Sequence, residues 1–160
     1  MIILGIDPGS YKTGYGIIET NGRSHQLIAQ GVVKTTRRFS FPERLRQVHD
    51  GVVSVITEYS PDILAVEDVF HRVNTKTALV LGHVRGVILL AGASAGLTVH
   101  EFPPATVKVQ VTGFGRAEKA QVALMVNRLL NLPGEPQPGD AADALAVALC
   151  EAHLSGGPPG

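Results

Sequence analysis

The chain of 160 residues contains one cysteine, no tryptophan and only 5% aromatic residues. A lone thiol, Cys150, cannot close an internal disulfide, so the fold must rest on burial, and a reducing cytoplasm suits it. Net charge is also missing. Fourteen Lys and Arg balance fourteen Asp and Glu, so global charge names no partner, and any surface for nucleic acid must come from how the charges are placed. No long hydrophobic run is present. The longest apolar tract, "VILLAGASAGLTV" (87–99), is too short and too rich in Gly and Ala to span a bilayer. The opening "MIILGI" is cut short by Asp7 with no basic region before it, which argues against a signal peptide and for a cytoplasmic protein without a membrane role. With 44% hydrophobic and 18% charged residues, the composition is that of a globular protein. One domain over 1–154 is expected, followed by a disordered tail, "SGGPPG" (155–160).

What is there begins with strands. "IILGID" (2–7) is a β-branched run closed by a turn signal, and "TGYGIIET" (13–20) and "QLIAQGVVKT" (26–35) follow at hairpin spacing. From Ser40 the period changes to three and four through Leu45, Val48, Val52, Val55, Ile56 and Tyr59, with Pro42 in the first helical turn. "ILAVED" (63–68) and "LTVHEF" (97–102) read as strands. The stretches 74–96, 104–112, 117–131 and 139–150 read as helices. Three antiparallel strands followed by strands alternating with helices indicate an α/β protein with a mixed sheet and helices packed on its faces.

Four acids stand out against this apolar background. Asp7 ends one strand and Glu67 ends another, while Asp140 and Asp143 share one side of "GDAADALAVALC" (139–150), a helix otherwise apolar all round and therefore buried. Each has an ordinary reading: Asp7 as a turn residue, Glu67 as a solvent-facing strand end, Asp140 as an N-cap with Asp143 at N3. Together they point elsewhere. Two carboxylates about 4 Å apart repel by ~1 to ~4 kcal/mol, and protons or cations must relieve that. A carboxylate-rich site without Cys or obligatory His suits hard ions such as Mg²⁺ or Mn²⁺. Two such ions are a known device for in-line displacement at a phosphodiester.

The segments "GIDPGSYKTGYGII", "AVEDVF", "GHVRGV", "VKVQVTGFGRAEKAQV" and "GDAADALAVAL" resemble, in order and spacing, the RuvC family of bacterial Holliday junction resolvases, from about residue 2 to 153. The resemblance implies a ribonuclease H-like mixed five-stranded sheet, with three antiparallel strands plus parallel ones and helices on both faces. It implies a homodimeric endodeoxyribonuclease that nicks two opposing strands of four-way junction DNA, with two Mg²⁺ ions per site, replaceable by Mn²⁺. Asp7, Glu67, Asp140 and Asp143 fall on the family's metal-binding acids, and cooperation with the RuvA–RuvB branch-migration complex follows. Asp143, one turn into its helix, could instead orient a ligand or water. Two departures stand out: Asp68 adds an acid where the family pattern has an amide, and the short tail carries no basic residues.

Junction binding calls for phosphate contacts from Lys and Arg. Candidates are Arg72 and Lys76 in "FHRVNTK", Lys108, Arg116 and Lys119; Lys108 and Lys119 match family positions implicated in DNA contact. For each, a solvated surface charge is the ordinary alternative. Phe70, in a polar loop three residues past Glu67, is a candidate wedge against a base, and His71 could assist proton transfer. "GFGRAE" is not a dinucleotide fingerprint, because Glu118 takes the third glycine position. Symmetric cutting of a four-way junction calls for a two-fold dimer. The helix 74–96 is its candidate interface, through Ala78, Gly82, Val84, Gly86, Leu89, Leu90 and Ala93, with core packing as the alternative. Three rivals remain: a nuclease of the same fold acting on structured RNA, a non-catalytic junction scaffold, and an actin-like or sugar-kinase-like ATP-binding domain, whose first phosphate loop "DPGSYKTGYG" resembles.

Overall fold

A computed structural model describes residues 1–68 and 74–156. Strands β1 (Ile2–Asp7), β2 (Lys12–Thr20) and β3 (His25–Lys34) are followed by α1 (Phe41–Tyr59), β4 (Ile63–Glu67), α2 (Thr75–Ser94) and β5 (Thr98–Phe102). Helices α3 (Pro104–Thr112), α4 (Lys119–Leu129) and α5 (Asp140–Ser155) complete the described chain. The five strands lie in the order β3-β2-β1-β4-β5. The first three form an antiparallel meander; β4 runs parallel to β1, and β5 parallel to β4. This is the expected mixed sheet.

The period-two alternation of β1 and β4 supplies two cores. Leu4, Ile6, Leu64 and Val66 face α1 and α2, where Val48, Val52, Val84 and Ile88 cover them. Ile3 and Ala65 face the other way, against α3, α4 and α5. Each fully buried aliphatic side chain contributes about 1.5–3 kcal/mol relative to exposure, so both faces need their helices. Helix α1 starts where its sequence says it should. The Ser40 hydroxyl accepts from the Glu43 amide, and the Glu43 carboxylate accepts from the Ser40 amide.

Helix α5 is the central element, with every residue from Ala144 to Ala152 buried. It lies directly on the sheet because glycines beneath it carry no side chain. A Cβ on Gly5 would stand 2.2 Å from the Ala144 carbonyl oxygen, and one on Gly14 would stand 2.0 Å from that of Asp140. Alanine at either position would lever α5 away.

Three details differ from the sequence reading. The N-cap of α5 is Gly139, with no side-chain cap bond, so Asp140 and Asp143 occupy the first helical turn without capping it. The same helix continues through Ser155, and residues 157–160 lie outside the described residues. Finally, the tract 87–99 is divided between α2 and β5 as expected, but the apolar run of α2 begins well before it. Helix α2 alone is 20 residues long with a mean hydropathy of 1.5, enough by length and composition to cross a membrane. In the fold one side of it, Val84, Ile88, Ala91 and Gly92, is buried, and α2 packs beside α1 over the sheet.

Candidate active site

The register of the sheet brings the first two acids together. Ile3 to Ile6 of β1 pair with Ile63 to Val66 of β4, and one further step sets Asp7 beside Glu67 at the C-terminal ends of both strands. Alternation turns both toward the α5 side, since Ile3 and Ala65, at even spacing from them, belong to that core. The cross-strand partner of Asp7 is Gly14, over which the first turn of α5 sits. Asp140 and Asp143 therefore arrive at the same place.

Asp7, Glu67 and Asp143 line a cleft of about 210 Å³, together with Lys108 and Lys119 and the apolar side chains of Val107 and Val122. Asp140 is at its margin, and its charge acts on both Asp7 and Asp143. The Lys119 ammonium donates to the Asp143 carboxylate at 3.3 Å while its own side chain stays 76% exposed.

Asp7, Glu67 and Asp143 hold their protons unusually tightly. Burial, and then the charges of Glu67, Asp143 and Asp140, push Asp7 up to about 8 against the opposing pull of Lys119. Burial and Asp143 push Glu67 up to about 7, opposed by Lys108 and Lys119. Asp143 is also raised by burial, although its ion pair with Lys119 pulls the other way. Lys119 is raised in turn by Asp143. The dipole at the N-terminus of α5 favours anions by about 0.3–1 kcal/mol, too little to offset burial of several like charges. Among the described residues, no three Asp, Glu, His or Cys side chains are grouped tightly enough to enclose a cation. The four acids meet through their charges, with Lys119 as the ammonium against Asp143.

Of the other sequence candidates, Lys108 lines the cleft. Arg116 is exposed between α3 and α4, and Lys76 is exposed in the first turn of α2. Phe70, His71 and Arg72 lie outside the described residues. Asp68 is held on the opposite side of β4 from Glu67, by Arg85 at 2.5 Å, and the same guanidinium reaches Glu101 at 2.7 Å. None of the described histidines lines the cleft. The sequence reading passed over Phe114, 57% exposed in the loop between α3 and α4; its only local signal was the flanking pair Gly113 and Gly115.

The family profile described as crossover junction endodeoxyribonuclease RuvC matches residues 3–151. This chain belongs to the RuvC family. Among curated RuvC proteins, that of Citrifermentans bemidjiense is 51% identical over 156 residues, covering 98% of this chain and 94% of the relative. That of Desulforamulus reducens is 48% identical over 155 residues, covering 97% and 95%. Among solved structures, Thermus thermophilus RuvC in complex with a Holliday junction substrate superimposes with a TM-score of 0.89 at 36% identity, over 97% of this chain and 94% of that one. The yeast mitochondrial Holliday junction resolvase Ydc2, at 13% identity and a TM-score of 0.69, shares the fold. RuvC membership sets aside the kinase-like reading of "DPGSYKTGYG" and makes the chain an endodeoxyribonuclease.

Proposed function

We propose that the cleft at the ends of β1 and β4 is the catalytic centre of a Holliday junction resolvase, in which Asp7, Glu67, Asp140 and Asp143 hold divalent metal. The observation that carries this reading is the convergence of four acids from three separate elements on one cleft, with Asp7 at about 8 and Glu67 at about 7. An all-carboxylate donor set fits a hard cation, with Mg²⁺ the expected ion, Mn²⁺ its substitute, and two ions the expected number. When bound, such ions supply positive charge at the scissile phosphate and an activated water.

The chain's own residues do the rest. Asp7 and Glu67 follow the Ile6–Val66 pair on adjacent strands, so the sheet holds the two backbones side by side. Lys119 neutralises and orients Asp143. Lys108 and Lys119 line the cleft and would grip the phosphates beside the cut, while Lys76 and Arg116 would hold DNA further out. Phe70 and Arg72, three and five residues past Glu67, would contact the junction next to the cleaved strand.

Paired cutting requires two such centres, and α2 offers the surface for a homodimer. Leu79 and Leu90 are 61% and 57% exposed, and Gly82, Gly86 and Ala93 are exposed with them. These positions recur at three and four along one side of α2, leaving an apolar stripe that a second copy would cover. Val84, from the same expected stripe, faces the core instead. Cooperation with RuvA–RuvB in the cytoplasm belongs to the same reading.

Incubation of a synthetic mobile four-way junction with the protein and Mg²⁺ or Mn²⁺ tests the whole proposal. Symmetric, ligatable nicks in two opposing strands are expected; intact junction, or cutting of structured RNA in its place, would refute it. Sedimentation at micromolar concentration tests the dimer, and monomer alone would refute that part.

A further inference from the structure

A second basic surface lies on the other side of the acid cleft from Lys108 and Lys119. In the β2–β3 register Lys12 pairs directly with Lys34. Like charges directly opposite one another in an antiparallel pair are destabilising, so the fold gains nothing from this arrangement. Lys12 lies two residues, about 7 Å, beyond Gly14 along β2. It therefore projects from the sheet face that carries Asp7, one step past the point where the N-terminus of α5 covers Gly14.

The chain after Lys34 extends this surface with Arg37 and Arg38. All four cations are exposed, and none forms an ion pair with a carboxylate among the described residues. The neighbouring loop is anchored. The Arg44 guanidinium stacks 4.1 Å from the centre of the Tyr11 ring and donates to the Ser10 carbonyl. The Thr35 amide donates to the Tyr11 carbonyl at 2.8 Å. In a chain of zero net charge, four exposed cations with no carboxylate partner among the described residues, one of them (Arg37) 5.6 Å from the centre of the Tyr11 ring, are the mark of an anionic partner.

We infer that Lys12, Lys34, Arg37 and Arg38 form a second phosphate-gripping flank, which holds the backbone of junction DNA on the β2–β3 side of the cleft while Lys108 and Lys119 hold it on the other. The inference rests on the nuclease reading above, and it adds a binding surface absent from the sequence candidates. A DNA strand crossing the acids would then meet cations on both sides.

The test compares the wild type with K12Q/K34Q/R38Q, measuring junction binding in EDTA as a function of salt and cleavage in Mg²⁺ at saturating junction. Each lost phosphate contact lowers the slope of log K against log salt by about 0.9, so a drop of about 2–3 is expected, with affinity on the order of 10- to 100-fold weaker at moderate salt. The maximal cleavage rate should stay within about threefold of wild type, and the melting temperature should hold or rise, since the Lys12–Lys34 repulsion is gone. R23Q, at the far turn of the same hairpin, controls for net charge and should leave the slope unchanged. Wild-type affinity and slope in the triple variant would overturn the inference, as would weaker binding with an unchanged slope. Failure of the wild type to nick junctions would instead strike the nuclease reading, which the cleavage arm reports separately.

Discussion

The two ends of α5 treat buried acid in opposite ways. At its C-terminal end Glu151 is 1% exposed and fully partnered: His100 pairs with one carboxylate oxygen at 2.8 Å, and the Ser155 hydroxyl donates to the other. At its N-terminal end Asp143 shares a cleft with Asp7 and Glu67, with Asp140 at the margin, and the two lysines there, Lys119 in an ion pair and Lys108 in the cleft wall, answer only part of the assembled charge. A buried acid that serves the fold has its oxygens satisfied by neighbours. A group of buried acids facing one another, held up to about 8 and about 7 in Asp7 and Glu67, is satisfied only by protons or cations from outside. Glu151 therefore belongs to the architecture, and the N-terminal acids belong to the chemistry.

The sharpest way to break this contrast is at Asp7. Asp7→Asn should lower single-turnover junction cleavage by at least about 10³-fold, roughly 4 kcal/mol of transition-state stabilisation, while binding in EDTA stays within about threefold. Retained cleavage would move the chemistry elsewhere. At the other end the effect should fall on stability. Glu151→Ala removes the partner of both His100 and Ser155 and should cost on the order of 2–4 kcal/mol in urea unfolding, with cleavage per folded molecule unchanged.

The next effect concerns pH. Asp7 and Glu67 bind protons more tightly folded than unfolded, so the folded chain carries extra protons from about pH 4 up to about pH 8. Stability in EDTA should accordingly fall as pH rises through that window, and most of the fall should disappear when Asp7 is removed. Mg²⁺ should raise the melting temperature at pH 8 and do little at pH 5. Asp7→Asn should flatten the EDTA profile; a wild-type profile that rises with pH would contradict the crowded-acid picture. Smallest is Lys119→Gln, which leaves Asp143 without its ammonium and should slow cleavage by roughly 10-fold, about 1.4 kcal/mol. A steeper loss than that of Asp7→Asn would reverse their proposed roles.

Much of this architecture was legible in advance. Ser40, Glu43 and Pro42 mark the start of α1, Asn74 marks that of α2, and the stretch 139–150, apolar all round apart from Asp140 and Asp143, announced a buried helix. All four acids stood out because each interrupts an apolar element. The role of Asp68 was less legible. It is adjacent to Glu67 in sequence, yet strand alternation turns it toward Arg85, which comes from another element. Nothing in the sequence marked Lys12 and Lys34, because their pairing spans 22 residues and depends on the β2–β3 register.

Local order follows from short-range physics: side-chain periodicity, capping and turn chemistry act over a few residues, and the sequence by itself determined them here. It also determined that four carboxylates would have to be brought to the edges of apolar elements. Which groups meet is a long-range matter. Only the tertiary structure set Asp7 against Glu67 through the β1–β4 register, and seated the first turn of α5 on Gly14, because strand pairing and the close approach of a helix to glycine join residues far apart in the chain. The chemistry of the site resides in that meeting, since a carboxyl's proton affinity is set by its neighbours in space.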